Sequence, residues 1–330
     1  MRQSSERQLA TVRAVRPLSD SVREIELVPD SGPLPWTVGS HLQVQVPIEG
    51  HHDWRSYSLV GLPDRTAYRI AVKRVDASRG GSRAMWQLES GHRVTLIAPA
   101  NHFELSYAAP QSLLVAGGIG ITPLLGMALA LAARGHHVSM AYAARTRDAL
   151  VYEPELRSAL GVRLHTFVSD DGQRLAFEPL LRDLHAQAQM LVCGPLPLLH
   201  AAQQAWAAAG RPLSLLRFET FGASGEQPAQ SFWVRLPRHG LEIVVPPGCS
   251  LLDALESHGV PLLADCRRGE CGLCALDVLQ VEGALDHRDV FFTDDQKRSG
   301  RRMCTCVSRV VGGGVVLDTD WRDDAPGAAA

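Results

Sequence analysis

Cys266-Arg267-Arg268-Gly269-Glu270-Cys271-Gly272-Leu273-Cys274 sets three thiols at C-x4-C-x2-C. Two more follow in Met303-Cys304-Thr305-Cys306-Val307-Ser308-Arg309. Three thiols in one loop and a fourth from a distant strand give the plant-type spacing of a [2Fe–2S] cluster. The loop must curl so that its sulfurs converge, and Gly269 and Gly272 stand where the backbone has to turn sharply. Structural zinc is the competing reading. Zinc sites usually pair two short C-x2-4-C knuckles, and only one short pair exists here. A cluster of this kind moves single electrons, so the rest of the chain should supply them.

Composition narrows the class. A chain of 330 residues is long for one core and points to two or three domains. It is 45% hydrophobic and 21% charged with a net charge of −2, which gives no footprint for nucleic acid. No apolar run is long enough to span a bilayer, and Met1 to Gln8 carries no hydrophobic signal segment, so no membrane and a cytoplasmic location are expected. Seven cysteines then fit a reducing compartment and thiolate ligands. His51-His52 and His136-His137 read as loop or turn pairs.

Outward from the cysteines, three segments differ in texture. Residues 9 to about 105 are short alternating strands (Leu9–Val15, Val22–Val28, His41–Val46, Tyr57–Val60, Tyr68–Val75), which implies a small antiparallel β-barrel. Residues 110 to about 222 alternate strands with helices, which implies an α/β domain on a parallel sheet. Residues 222 to about 232 have linker composition. The cluster domain follows, and residues 323–330 read as a disordered tail. The expected boundaries are 1–107, 108–222, 223–232 (linker), 233–320 and 321–330 (tail).

The first two segments carry cofactor chemistry. Arg55-Ser56-Tyr57-Ser58 offers a cation, a stacking ring and two hydroxyls on one strand end, as a flavin requires. Lys73 and the run Ser78-Arg79-Gly80-Gly81-Ser82 precede a short helix and form a candidate phosphate cradle. Gly117-Gly118-Ile119-Gly120-Ile121-Thr122-Pro123 lies between a strand and a helix, a dinucleotide signal short of the full Rossmann fingerprint. Thr122 is expected to cap that helix, with Pro123 in its first turn. Cys193-Gly194-Pro195 ends a later strand, where ligands of open α/β sheets lie.

Taken together these residues resemble the phthalate dioxygenase reductase family, within the ferredoxin–NAD(P) reductase superfamily. The resemblance runs through Arg55–Ser58, Arg79–Ser82, Asn101–Leu105, Gly117–Pro123, Cys193–Pro195, Phe218–Phe221, Cys266–Cys274, Asp286–Asp289 and Cys306–Arg309. It implies an FMN barrel, an NAD domain and a C-terminal β-grasp ferredoxin domain of α+β type. It implies that Arg55, Ser56, Tyr57 and Ser58 hold FMN, with Lys73, Gly80, Gly81 and Ser82 near its phosphate end. Gly117, Gly118, Gly120, Thr122, Cys193, Gly194 and Pro195 would line the nicotinamide site. Phe221 would lie against the flavin ring, and Glu219 beside it. Cys266, Cys271, Cys274 and Cys306 would hold the cluster. Cys304 departs from the pattern, and the interval to Cys306 is long for the family. The added residues are expected in a loop at Val278–Leu285.

The implied activity is electron transfer from NADH through FMN and the cluster to a transient, Rieske-type terminal oxygenase, by a monomer. Two other readings compete: a donor to a haem-thiolate monooxygenase or separate carrier, and a non-enzymatic redox sensor. The sensor leaves the flavin and nicotinamide motifs unexplained. On coenzyme choice the residues divide. Asp170 and Asp171 oppose a 2′-phosphate, whereas Arg145 and Arg147 favour one. The resemblance favours NADH. Residues 234–320 hold 13 acidic and 10 basic side chains, a formal charge of −3, so an acceptor should offer a positive patch.

Overall fold

The computed structural model describes residues 7–48, 51–75, 80–221 and 229–319. It falls into two compact units, one ending at Phe221 and the other starting at Gly222. Ser78, Arg79, the larger part of the expected linker and the tail lie outside the described residues.

The first unit opens with six antiparallel strands: β1 (Arg7–Ser19), β2 (Val22–Pro29), β3 (Ser40–Ile48), β4 (His51–Ser58), β5 (Tyr68–Lys73) and, after helix α1 (Gly81–Trp86), β6 (Arg93–Asn101). Their order is β4-β3-β6-β1-β2-β5. A bridge between Leu59 and Ile70 joins the two edge strands, and the Val60 amide donates to the Arg69 carbonyl at 2.8 Å. The sheet therefore closes, which removes its edges. Val12, Ile25, Val44, Ile70 and Leu96 alternate inward as its core, and Met85 of α1 is buried with them.

Two strands depart from the sequence reading. The expected strand at Tyr57–Val60 starts at His51, so His51-His52 is not a turn; it pairs with Ile48 and Pro47 of β3. β6 is not among the strands named from the sequence, and it carries Pro99, a residue that cannot donate to a ladder. Pro99 is accommodated because the β3–β6 register shifts between His41 and Gln43.

The same unit continues with β7 (Gln111–Gly117), α2 (Ile121–Ala133), β8 (His137–Ala144), α3 (Glu153–Leu160), β9 (Leu164–Val168), α4 (Phe177–Arg182), β10 (Gln189–Cys193), α5 (Leu196–Ala208) and β11 (Leu216–Glu219). The sheet is parallel throughout, ordered β11-β10-β7-β8-β9. Strand order reverses between β7 and β10, which is where open α/β sheets bind ligands. Thr122 does not cap α2. A 3-10 turn at Gly118–Gly120 runs straight into the helix, so Thr122 lies in its first turn and its hydroxyl donates to the Ile119 carbonyl at 3.0 Å. Pro123 is in that turn as expected, where its missing N–H costs nothing.

Barrel and parallel sheet share one core. Val38, Val60, Ala71 and Phe103 of the barrel pack with Leu124, Leu125, Met127 and Ala128 of α2. The closest approach is at Gly126, where an added Cβ would lie 2.1 Å from the Gly61 carbonyl oxygen.

The second unit holds β12 (Phe232–Leu236), β13 (Leu241–Val245), α6 (Leu251–Ser257), β14 (Ala275–Asp286), α7 (Asp294–Ser299), β15 (Arg302–Cys304) and β16 (Arg309–Asp318). Its mixed sheet is ordered β13-β12-β16-β14-β15, with β12 and β16 parallel. Both helices start on sequence-encoded caps. The Ser250 hydroxyl accepts from the Asp253 amide, and Thr293 forms a capping box with Gln296. The stretch Val278–Leu285 is strand rather than loop. β14 absorbs its additional length through register shifts at Val278/Gln280 and Glu282/Ala284.

The seam makes Gly126→Ala diagnostic. In an open helix this change stabilises by about 0.5–1 kcal/mol. Here the methyl meets a backbone carbonyl, so a loss of about 1–3 kcal/mol is expected from overpacking. Denaturant unfolding measures it, and a raised midpoint would show that the seam is loose.

Candidate flavin, nicotinamide and iron–sulfur sites

Strand β4 carries Arg55, Ser56, Tyr57 and Ser58, whose side chains alternate between its two faces. Arg55 folds over the start of α1, where a Cβ on Gly81 would lie 2.7 Å from Arg55 Nε. Only a residue without a side chain admits the guanidinium there. Arg55 also donates to the Trp54 carbonyl at 2.9 Å. The Val75 amide donates to Ser82 Oγ at 3.3 Å, so the segment following β5 is tied to the same helix start. Lys73 is exposed at the end of β5. A cation folded against a glycine-lined helix start fits a phosphate end. Tyr57 is half-buried. Burial pushes its phenol well above the ordinary range, against the pull of Arg55, so the ring stays neutral and available for stacking.

Ser58 faces the parallel sheet. Its hydroxyl donates to Glu219 Oε2 at 2.9 Å, and both residues are buried. Glu219 ends β11 in register with Cys193 of β10. Cys193 in turn meets the glycine turn after β7, where a Cβ on Gly120 would lie 2.2 Å from the Cys193 carbonyl oxygen. Gly117 is closed in by Pro195 and Gly194, while Gly118 faces open space. Ser58, Glu219, Cys193, Gly120, Gly117, Gly194 and Pro195 thus form one continuous group at the switch point. Phe221 follows two residues past Glu219 and is 39% exposed.

Asp171 stands apart from that group, after β9 and two strands beyond β7, a lateral offset of about 10 Å. It accepts from Arg147 at 2.7 Å, and Asp170 lies 3.7 Å from Arg145. Each arginine that spoke for a 2′-phosphate therefore faces an aspartate.

In the second unit the cysteine loop wraps its own sulfurs. The amides of Arg268, Glu270 and Cys271 all lie 3.4 Å from Cys266 Sγ. Cys274 and Cys306 sulfurs are 3.2 Å apart. The Leu273 amide points to Cys271 and the Gly269 amide to Cys306. The adjoining sulfurs of Cys274 and Cys306, and the N–H donors aimed at Cys266, Cys271 and Cys306, fit a [2Fe–2S] cluster, whose sulfur ligands and potential depend on such bonds. Gly269 and Gly272 both have positive φ, 76° and 74°. They are also crowded from outside, by Val307 and Asp289 at Gly269 and by the Phe291 ring at Gly272.

The two rival thiols both lie against Cys274, whose own thiol is held well below its ordinary range by Cys304 and Cys306. Strand β15 ends at Cys304, and Thr305-Cys306-Val307 forms a turn closed by the Ser308 amide donating to the Cys304 carbonyl at 2.9 Å. The two side chains are therefore not on one strand. Cys304 is fully buried, in register with Ala275 of β14. All seven cysteines are free thiols.

Comparison with known proteins follows the same division. Residues 234–311 match the 2Fe-2S iron-sulfur cluster binding domain, and residues 114–204 match the oxidoreductase NAD-binding domain. The heme-dependent oxidative N-demethylase beta subunit of Ectopseudomonas mendocina is 39% identical over 310 residues, 93% of this chain and 97% of its own. The solved phthalate dioxygenase reductase superposes with a TM-score of 0.78 at 30% identity, over 96% of this chain and 99% of that one. The chain belongs to the phthalate dioxygenase reductase family. The reductase is also similar to an intact type IV self-sufficient cytochrome P450 monooxygenase, with 32% identity and a TM-score of 0.67 over 94% of this chain and 41% of that one. It is an oxidoreductase with the family's cofactors, FMN, NADH and a [2Fe–2S] cluster.

The sulfur geometry generates a direct comparison. Cys306→Ser exchanges a soft thiolate for a hard alcohol and is expected to lose most of the cluster, while Cys304→Ser keeps it. Iron content and the low-temperature EPR signal of the reduced variants decide. A normal cluster in the first variant with a missing one in the second would reverse the roles.

Proposed function

We propose that the reductase takes electrons from NADH at the switch-point crevice and delivers them singly to a terminal Rieske-type oxygenase, in transient encounters and as a cytoplasmic monomer. The observation that carries this reading is the buried Ser58–Glu219 hydrogen bond, which joins the candidate flavin strand to the candidate nicotinamide strand. FMN, when bound, supplies the conversion of a two-electron hydride into single electrons. The protein contributes placement. Arg55 and the Gly80–Ser82 start of α1 hold the phosphate end, and Tyr57 stacks. Gly118, Thr122 and Cys193 line the nicotinamide, and Phe221 covers the ring. Cys266, Cys271, Cys274 and Cys306 hold the cluster. Hydride transfer rewards this placement because reacting atoms must sit in near-attack geometry.

Relatives named as monooxygenase reductase subunits support an oxygenase acceptor. Among the described residues no helix is long and apolar enough to cross a membrane. A haem acceptor is the second reading. It is favoured by the similarity to a self-sufficient P450 and to a subunit whose name includes a heme-dependent demethylase. Stopped-flow reoxidation of the reduced cluster by purified Rieske and haem oxygenases separates the two. Fast reoxidation by the haem protein alone would overturn the first.

Coenzyme choice has its own test. Paired with Asp171, Arg147 is a poor partner for a 2′-phosphate. NADH should therefore show the higher kcat/KM, and Asp171→Ala should raise the NADPH-to-NADH ratio by about tenfold, the scale of one charge contact. A wild-type preference for NADPH would refute the assignment.

A further inference from the structure

Tyr152 is one of two residues other than glycine with positive φ among the described residues, at 63°. A bulky aromatic in the left-handed region is an outlier that surrounding structure must hold in place. It stands directly before α3, and its hydroxyl crosses the seam to donate to Glu24 Oε2 of β2 at 2.9 Å. Glu24 is 4% exposed and is flanked by Arg16 at 3.4 Å and Arg69 at 3.6 Å. Burial, and then the charge of Glu24, push the Tyr152 phenol well above its ordinary range, so it remains a donor.

The position of this bond gives it leverage. The apolar seal between barrel and parallel sheet runs through Gly126 and Gly61. Beside that seal the seam opens into a cleft of about 320 Å³, lined by Arg16, Glu26, Leu62, Asp64 and Arg69 of the barrel and by Leu129 and Glu155 of α2 and α3. Tyr152, Leu129, Leu18 and Val22 belong to the shared apolar core at the edge of this cleft, whose remaining walls are mostly charged. The Ser58–Glu219 bond is a second polar tie across the same seam, on β4 and β11. Two polar ties with an apolar seal fix an orientation that one tie leaves free to rock.

We propose that the Tyr152–Glu24 hydrogen bond is a positioning latch. It holds the parallel sheet at the angle that brings nicotinamide to the flavin strand, so Tyr152 and Glu24 act on hydride transfer without touching either cofactor. This inference rests on the hydride-transfer reading of the first unit. Wild-type flavin that NADH does not reduce would end that reading, whereas wild-type reduction matched by the variants ends the latch alone.

Tyr152→Phe removes only the hydroxyl. Anaerobic stopped flow of the holoprotein with saturating NADH should show flavin reduction slowed by about tenfold, because small misplacements are costly in hydride transfer. FMN content, the flavin spectrum and the reoxidation of the dithionite-reduced holoprotein by added cytochrome c should stay unchanged. Glu24→Ala should slow the same step, and the double variant should be no slower than the slower single one. Additive slowing, or an unchanged rate accompanied by a lower melting temperature, would make the bond merely structural and overturn the proposal. If Tyr152→Phe fails to retain FMN, Glu24→Gln replaces it. That variant keeps an oxygen acceptor while weakening the bond, and an unchanged reduction rate there overturns the proposal equally.

Discussion

A carboxyl group buried to 1% exposure must find donors, and Glu219 finds one in a residue 161 positions earlier. Much of the first unit follows from that requirement. Loss of one donor to a buried carboxyl costs about 1–3 kcal/mol, so β11 is more stable at the edge of its sheet with β4 of the barrel alongside. The same bond places the last strand of the nicotinamide sheet against the strand that carries Arg55 and Tyr57. Stability and cofactor geometry are therefore one constraint. The glycines at the seam serve it too, since Gly126 against the Gly61 carbonyl lets α2 approach the barrel more closely than any side chain would permit.

The second unit solves a different problem. A loop of nine residues from Cys266 to Cys274 has little apolar surface of its own to bury, so ties from elsewhere hold it in shape. Arg267 donates to Asp253 at 2.7 Å and to both oxygens of Glu256, which straps the loop to α6. Asp289 holds the other side. Its carboxyl accepts from the Phe292 amide and the Ser308 hydroxyl, and the Val290 amide closes on the Gly269 carbonyl. The Asp286–Asp289 motif is thus a brace between the loop and the turn that carries Cys306. With backbone N–H groups already aimed at sulfur, the loop is poised for a negatively charged cluster.

What could be read from the sequence was what is local. C-x4-C-x2-C, the glycine turn after β7 and Cys193-Gly194-Pro195 each sit on one continuous strand end or loop, and order alone carries them. The Gly/Pro and β-branched punctuation likewise located most strands and helices. The failures share a cause. β6, not named from the sequence, carries a proline that cannot donate to a ladder, beside the bulge opposite β3. Val278–Leu285 looks like an insertion loop because bulges are invisible without the partner strand. Resemblance alone favours Cys306 over Cys304, and the strand end between the two thiols gave no pattern of its own. Glu24, Tyr152 and Gly126 gave no signal, since their value lies in contacts between segments far apart in the chain.

That distinction bears on how such a reductase can vary. The cofactor motifs are short and close to the chemistry, so their residue types are held by FMN, nicotinamide and iron–sulfur bonding. The seam residues are held only by one another. A change at Gly61 need not disturb any motif, yet it alters the face presented to α2. Relatives with matching motifs can therefore differ in the angle between flavin strand and nicotinamide sheet. Hydride transfer depends steeply on that angle, because it sets the approach of the reacting atoms. Similarity of motifs thus fixes which electrons move, while their speed is left to the packing between the two halves of the first unit.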